Sequence, residues 1–377
     1  MKKILCVDTF VPGYAPVFGD RVHTIELASF LNDKGFKLDI IGLNPFKGVV
    51  DVKGVHYKFH AYGADESIRA TDHPGEFAHT VLQLNALLVD ALSDSVQYDG
   101  VHLHTELAFP AVRTLTTHWG VPFLFTQHTV NEDQLLHSGC NQISAGFLIA
   151  LQREAIRESF KWFVPSTYAA NRNKKWGEVD VPVVVPHTVR ISDRRKIRYE
   201  AHDPFRILSV GRLDRVKNPE LVLKIVAALG KSVEIIFAGD GYLMTQLKRD
   251  SRRLGVNAIF LGNIDRELLG KVYTEADILL CCTRQDTFNL VVSEAMHMGL
   301  PVIVAGGTGL EDRVKDGVNG CIVKEDASVE TWVLTIRELI AHPELRKRLG
   351  MRAVADSCMK TTTWDAYCDE YVKAFGQ

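Results

Sequence analysis

The sequence predicts an α/β protein built on two doubly wound parallel sheets, and three observations carry that prediction. Short apolar runs of strand length alternate with segments of helical period from end to end. At 377 residues the chain exceeds what one core ordinarily organises. A charged, aperiodic stretch at residues 190–203, with Arg194, Arg195, Lys196 and Arg198, splits the alternation into two sets. Strands joined through helices are expected to be parallel, with right-handed crossovers, so each set should form an open sheet with helices on both faces.

The first set opens with a buried strand at residues 3–7 and a loop punctuated by Pro12, Gly13, Pro16 and Gly19. Val22, Ile25, Leu27, Ala28 and Leu31 then recur at helical spacing up to Gly35, and residues 38–43 return as a strand. Ligands of open α/β sheets bind at the carboxyl ends of strands, where this loop lies. Gly19 at its end would let backbone approach a phosphate, although a glycine there serves equally to make the turn. Residues 51–72 are irregular, with a strand at 55–59. A helix over 77–92, a strand at 100–103, a helix over 107–119 and a strand at 122–126 follow. The last of these delivers His128 at its carboxyl end. A helix over 143–160 and strands at 162–165 and 181–185 complete the set.

The second set starts at Phe205. A strand at 207–210 leads into a loop carrying Arg212 and Lys217, and Asn218-Pro219 start a helix to Leu229. Strands are expected at 233–238, 258–261, 278–282, 301–304 and 321–323. Helices are expected from the turn at Gly239-Asp240-Gly241 to Leu254 and near 267–273, 290–298, 310–314, 329–341, 343–356 and 364–375.

Composition narrows the function. A net charge of −2 and a pI near 6.7 leave no polyanion footprint, which argues against nucleic-acid binding. No stretch approaches 18 apolar residues, so none should span a membrane, and the apolar start breaks at Asp8, too early for an export signal. Seven cysteines without framework spacing suggest free thiols in a reducing compartment. A cytoplasmic protein is expected, with peripheral contact at the inner membrane face left open. No Cys-x-x-Cys pair, His cluster or Asp-x-Asp pair is present, so no metal or other cofactor is expected. The first turn lacks Gly-x-Gly-x-x-Gly, and Met244 stands where Gly239-Asp240-Gly241 would need its third glycine, which argues against a nicotinamide enzyme.

The chemistry gathers in two places. Arg212 and Lys217 lie just past a strand, in a loop entering a helix, where a guanidinium fork and an ammonium suit a diphosphate; two solvated cations is the plainer reading. The stretch 281–304 reads as strand end, loop, helix, turn and strand. Its loop holds Asp286, Thr287, Phe288 and Asn289. Leu290 starts a helix whose free N–H groups favour an anionic or hydroxyl-rich ligand, and Glu294 sits inside it. Asp286 could hold sugar hydroxyls, and Glu294 could accept both hydroxyls of a ribose. His128 could bond a sugar hydroxyl, whereas His102 and His104 read as structural.

Taken jointly, several segments resemble the retaining, nucleotide-sugar-dependent glycosyltransferases of family four, which have the two-domain GT-B fold. They are Ser209-Val-Gly-Arg-Leu-Asp-Arg-Val-Lys217, Phe237-Ala-Gly-Asp-Gly241, Phe260-Leu-Gly262, Ala276-Asp-Ile278, the 286–299 stretch and Gly317-Val-Asn-Gly320. The resemblance covers nearly the whole chain. It implies two Rossmann-like domains facing across a cleft: 1–189 with a crossing-back helix at 362–377, and 205–361, joined by a linker at 190–204. It implies that Arg212 and Lys217 hold the donor diphosphate and that Glu294 binds the ribose. The loop 286–290 would cradle sugar and diphosphate, with Gly19 and Gly241 near the donor and His128 near the reacting carbon. Asp286 stands where the family usually has Glu. Thr287 and Asn289 replace glycines, Phe18 replaces the first N-terminal glycine, and His187-Thr188 replace Asn-Gly.

The implied reaction is metal-independent transfer of a hexose or N-acetylhexosamine, with retention, to a hydroxyl of a glycan, lipid or small molecule. UDP-sugars are the first donor choice and GDP-mannose the next. A sugar-nucleotide epimerase or hydrolase on the same fold, and a degenerate nucleotide-sugar-binding module, are the alternatives.

Overall fold

A computed structural model describes residues 1–8, 19–44, 48–52, 55–61, 74–92, 97–133, 141–174, 180–187, 194–358 and 364–376. The chain divides into two compact units, Met1–Thr188 with Thr362–Gln377, and Val189–Thr361.

The first unit holds an eight-stranded sheet in the order β3-β4-β2-β1-β5-β6-β7-β8. Its strands are β1 (Lys2–Asp8), β2 (Phe36–Asn44), β3 (Gly48–Val52), β4 (Val55–Ala61), β5 (Gly100–Leu103), β6 (Phe123–Thr126), β7 (Lys161–Val164) and β8 (Val183–Val184). Every neighbouring pair is parallel except β3 and β4. Alternation explains why β1 reads as one continuous apolar run: Leu5 and Val7 enter one core, Ile4 and Cys6 the other. The first core is closed by helices α2 (Pro74–Leu92), α3 (Phe109–Trp119) and α4 (Gln142–Glu158). The second is closed by α1 (Gly19–Asp33) and by the last helix, Trp364–Phe375, which brings Tyr367, Tyr371 and Phe375 against Ile4, Cys6 and Leu27.

The second unit holds six parallel strands in the order β11-β10-β9-β12-β13-β14. They are β9 (Phe205–Val210), β10 (Val233–Ala238), β11 (Asn257–Gly262), β12 (Ile278–Cys281), β13 (Val302–Ala305) and β14 (Cys321–Val323). Ile207, Ile278 and Leu280 face one core, while Leu208 and Leu279 face the other. Both sheets reverse direction at one point, beside β1 and β5 in the first and beside β9 and β12 in the second. Ligands of doubly wound sheets bind outside the strand ends at such points.

Several local expectations change. The hairpin strand β3 was not foreseen, although Asp51 and Val52 belong to it. Helix 107–119 is a 3-10 turn, Glu106–Ala108, followed by α3, whose Pro110 sits in the first turn where its missing N–H is not needed. A short helix, α5 (Thr167–Asn173), is capped by Ser166. The helix expected near 310–314 is a single 3-10 turn, Gly309–Asp312. The basic run expected to be a linker is partly packed into the second unit. Lys196 is buried, with its N–H on Met298 O (2.7 Å) and its ammonium on Ala276 O (2.5 Å). Buried Arg346 donates to Tyr199 O.

Candidate active site

In the second unit the loops after β9 and β10 lie back to back. Leu213 N–H donates to Asp240 O (2.9 Å) and Leu243 N–H to Leu213 O (3.1 Å). A Cβ on Gly239 would fall 2.0 Å from Gly211 O, and one on Gly241 2.4 Å from Leu213 O. These glycines are therefore required by close backbone approach, and Gly241 borders the Arg212 loop through it.

Asp214, which the sequence reading passed over, ties the two cations together. Its Oδ2 accepts Arg212 Nε (2.8 Å) and its Oδ1 accepts Lys217 N–H (2.9 Å). The Lys217 ammonium lies 2.5 Å from Asp286 Oδ2. Asp286 Oδ1 accepts Phe288 N–H (3.2 Å), and Asp286 O accepts Gly309 N–H (2.8 Å). Thus residues from the ends of β9, β12 and β13 converge on Asp286.

Asn289 closes this loop with φ 58°, in the left-handed region, and its side chain accepts Val292 N–H (3.3 Å). It caps helix Leu290–His297. Asparagine at a position where the family carries glycine is thereby explained, because asparagine is among the few side chains that tolerate that backbone. Thr287 and Phe288 are buried. Arg313, unsuspected from the sequence, lies with its guanidinium carbon 3.5 Å from the Phe288 ring centroid and donates to Asn289 O (3.4 Å). Burial pushes its guanidinium down to about 10, which leaves it charged at neutral pH.

Glu294 sits one turn into the same helix. Its Oε2 accepts Tyr273 O–H (3.0 Å), and Arg266 stands 4.0 Å from Oε1. Burial raises its carboxyl above the ordinary range, opposed by Arg266 and by the Tyr273 hydrogen bond.

In the first unit, Gly19 opens α1, while Phe18 and the loop before it lie outside the described residues. His128 follows β6, with Nδ1 3.2 Å from His187 Nε2 and Nε2 3.0 Å from His104 Nδ1. The structure thus gathers Arg212, Lys217, Gly241, Asp286 and Thr287–Leu290 around one strand-end cluster, with Glu294 beyond the cap. Gly19 and His128 belong to the other unit. Among the described residues no three histidine, cysteine or acidic side chains are arranged to hold a metal ion, and no helix is long and apolar enough to cross a membrane.

A cationic loop after one strand, an acidic loop capping a helix after its neighbour, and a carboxylate within that helix, on paired doubly wound sheets, are the elements of a glycosyltransferase of the GT-B fold. The comparisons with known proteins agree. The family model described as Glycosyltransferase Family 4 matches residues 19–193, and that described as Glycosyl transferases group 1 matches residues 191–355. The chain belongs to the glycosyltransferases of family-four type. It is 26% identical to a D-inositol 3-phosphate glycosyltransferase of Xylanimonas cellulosilytica over 395 residues, covering 96% of this chain and 93% of that protein. A protein of the same name from Thermomonospora curvata is 25% identical, with 97% and 91% covered. In fold the chain is similar to sucrose-phosphate synthase from Thermosynechococcus elongatus (TM-score 0.83, 16% identity, 99% and 98% covered). It is likewise similar to Anabaena Alr3699/HepE solved with UDP and glucose (TM-score 0.73, 16% identity, 99% and 100% covered).

Proposed function

We propose that this glycosyltransferase moves a hexose or N-acetylhexosamine from a UDP-sugar to a hydroxyl of a small polar acceptor, with retention and without a metal. The observation that carries the reading is the Arg212–Asp214–Lys217–Asp286 cluster at the ends of β9 and β12. A donor diphosphate competes with Asp286 for the Lys217 ammonium and draws on the Arg212 fork. Asp286, so released, accepts sugar hydroxyls. Glu294 takes the ribose. The choice of UDP leans on the UDP-bound fold neighbour, and the choice of a small polar acceptor, a polyol phosphate for instance, leans on the relatives' names.

The barrier is charge separation as the glycosidic bond to the diphosphate breaks. Arg212, Lys217 and the start of helix Leu290–His297 stabilise the leaving oxygens. The acceptor oxygen bonds to the anomeric carbon on the face the phosphate leaves, and its proton passes to a leaving phosphate oxygen. Free thiols at Cys6, Cys281, Cys282, Cys321 and Cys368 suit a reducing, cytoplasmic setting.

The test is incubation with UDP-glucose, UDP-N-acetylglucosamine and GDP-mannose, with and without polyol phosphates, following the anomeric proton by NMR. We expect an α-linked product from an α-linked donor only when acceptor is present. A β-linked product removes retention from the proposal, and donor turnover without acceptor makes the protein a hydrolase or epimerase.

A further inference from the structure

The first unit contains a largely buried array around the half-buried His128, whose other members the reaction above does not use. Starting at the end of β5, His104 Nδ1 lies 3.0 Å from His128 Nε2. His128 Nδ1 lies 3.2 Å from His187 Nε2, and His187 Nδ1 lies 3.1 Å from His23 Nδ1. His23 Nε2 meets Tyr367 O–H at 3.1 Å, and that hydroxyl meets Thr126 Oγ1 at 3.4 Å. Thr126 Oγ1 meets His102 Nε2 at 2.7 Å, and His102 Nδ1 meets Tyr371 O–H at 2.5 Å. Eight side chains from the ends of β5 and β6, α1, the segment after β8 and the last helix form one continuous line.

Proton counting restricts this line sharply. A neutral imidazole has one N–H and one bare nitrogen, and a hydroxyl donates once. Because a hydroxyl can also accept twice, seven links admit four arrangements: all donors pointing one way, all pointing the other, or two runs meeting at Tyr367 or at Thr126, which strand that hydroxyl's proton and leave His104 Nε2 bare. If the line points from His104 toward Tyr371, it strands the Tyr371 O–H and leaves His104 Nε2 bare. Pointing the other way strands one group, the His104 Nε2–H, the nitrogen that has no hydrogen-bond partner among the described residues. That sense also makes both phenols donate to imidazole nitrogens. This is the better match, since phenol is the more acidic partner and imidazole the better acceptor. An imidazolium anywhere in the line would donate from both nitrogens, so the line could no longer run one way, and a hydroxyl proton would be stranded besides the His104 Nε2–H.

We infer that this line is unidirectional, running from Tyr371 to His104, and that it makes His23, His104 and His187 positioning residues which hold His128 neutral and in the Nε2–H tautomer. It follows that His23 alone carries its proton on Nδ1, while His102, His104, His128 and His187 carry theirs on Nε2. Burial is the main influence keeping His23, His102 and His104 uncharged, and the neighbouring histidines add to it. Among the described residues the titratable groups set against the line from neighbouring elements include the two phenols of the last helix, both raised by burial, and the Cys6 thiol of β1 beside Tyr371. The consequence for transfer rests on the reading that His128 serves the donor sugar; the tautomers do not.

The experiment is nitrogen NMR of the full chain labelled with [15N]histidine, at pH 7 and 5.5, on the wild type, Tyr367→Phe and His128→Ala. The wild type should show one ring protonated on Nδ1, assigned to His23, and four of these five rings protonated on Nε2 at both pH values. Tyr367→Phe cuts the line beside His23 and should bring His128 into both tautomers while the fold persists. Two His128 tautomers in the wild type, an imidazolium in the line at pH 7, or unchanged tautomers in Tyr367→Phe overturn the inference, whatever the activity. Kinetics separate the second question. With the line intact by NMR, Tyr367→Phe should lower kcat roughly tenfold at unchanged donor KM. If His128→Ala and Tyr367→Phe both keep full kcat, the line stands and His128 leaves the reaction.

Discussion

The two units solve the same problem at their strand ends in opposite ways. Each keeps polar side chains close to a buried sheet edge, where an unpaired charge is costly. The second unit pairs opposite charges: Arg212 with Asp214, Lys217 with Asp286, and Glu294 beside Arg266 and Tyr273. The first unit, with ion pairs such as Arg172 with Asp133 set nearby, joins imidazoles and hydroxyls in a line. An ion-paired cluster can exchange one counter-charge for another, which suits a diphosphate that must arrive charged and leave charged. A neutral line has no ion to exchange and offers fixed proton positions instead. The contrast assigns electrostatic work to the second unit and orientation to the first.

The largest test of that assignment removes both cations. Arg212→Ala with Lys217→Ala should lower kcat by a factor of about 10³ or more, since a single preorganised contact of this kind is worth roughly 3 kcal/mol. The fold should survive, because both side chains are part-exposed, at 41% and 26%. Donor turnover unchanged in the double variant would break the comparison at its stronger end.

The next test uses acidity, because the two units should respond with opposite sign. Burial pushes the His102 imidazole down to about 3 from an ordinary 6.5, and His23 and His104 move the same way. Below pH 6.5 the unfolded chain binds protons that these folded rings refuse. Their stabilising contribution is therefore complete above 6.5 and is lost as pH falls toward the folded values. Each ring contributes at most about 1.4 kcal/mol per pH unit, less where the rings are coupled. Glu294 runs the other way. Its carboxyl is raised above an ordinary 4.5, so its contribution is present below 4.5 and is lost as pH rises through the raised value. Hydrogen exchange between pH 7 and 5.5 should show β5 and β6 losing protection free energy while β9 and β12 hold theirs or gain. Equal loss in both units would mean the histidines are not neutral when folded.

How much of this could be read beforehand depended on whether the signal was local. The strands and helices were legible because apolar period is a property of neighbouring residues, and so were the positions of Arg212 and Lys217 in a loop past a strand and of Glu294 inside a helix. Asp286 was placed in the right loop, yet its pairing with Lys217 spans 69 positions and leaves no trace in the sequence. Asp214 was passed over although it sits two residues from Arg212, because a loop acid looks the same whether solvated or bridging. Arg313 reads as one more surface cation until Phe288 is brought beneath it. His102 and His104 were taken as structural, which matches their burial. What sequence could not supply was their line to His128, His187, His23 and the last helix, since links such as His23 to Tyr367 close over 344 positions. Strand β3 was missed because Gly48–Val52 is too short to show alternation above its surroundings.

The smallest effect tests whether the acidic loop of the second unit is held by backbone conformation or by its cap. Asn289 and Asn218 are the two non-glycine residues with positive φ among those described, at 58° and 55°, and each precedes a helix. They differ in capping: Asn289 accepts Val292 N–H, whereas Asn218 makes no side-chain cap bond and accepts instead from the Arg284 guanidinium (3.3 Å). Glycine at 218 gives up nothing in capping, loses only the bond from the exposed Arg284 and relieves the left-handed strain, so Asn218→Gly should be neutral within about 0.5 kcal/mol. Asn289→Gly loses the cap and keeps the backbone, costing a few tenths of a kcal/mol. Asn289→Ala loses both and should cost about 2 kcal/mol, the sum of a missing cap and a strained left-handed residue. Because the strained residue also aims Asp286 and Phe288, kcat/KM should fall in Asn289→Ala and persist in Asn289→Gly. Melting temperatures and kcat/KM for the three variants decide the matter. If alanine and glycine at 289 behave alike, the cap rather than the backbone angle holds the loop, and the glycine that the family carries there is not explained by conformation.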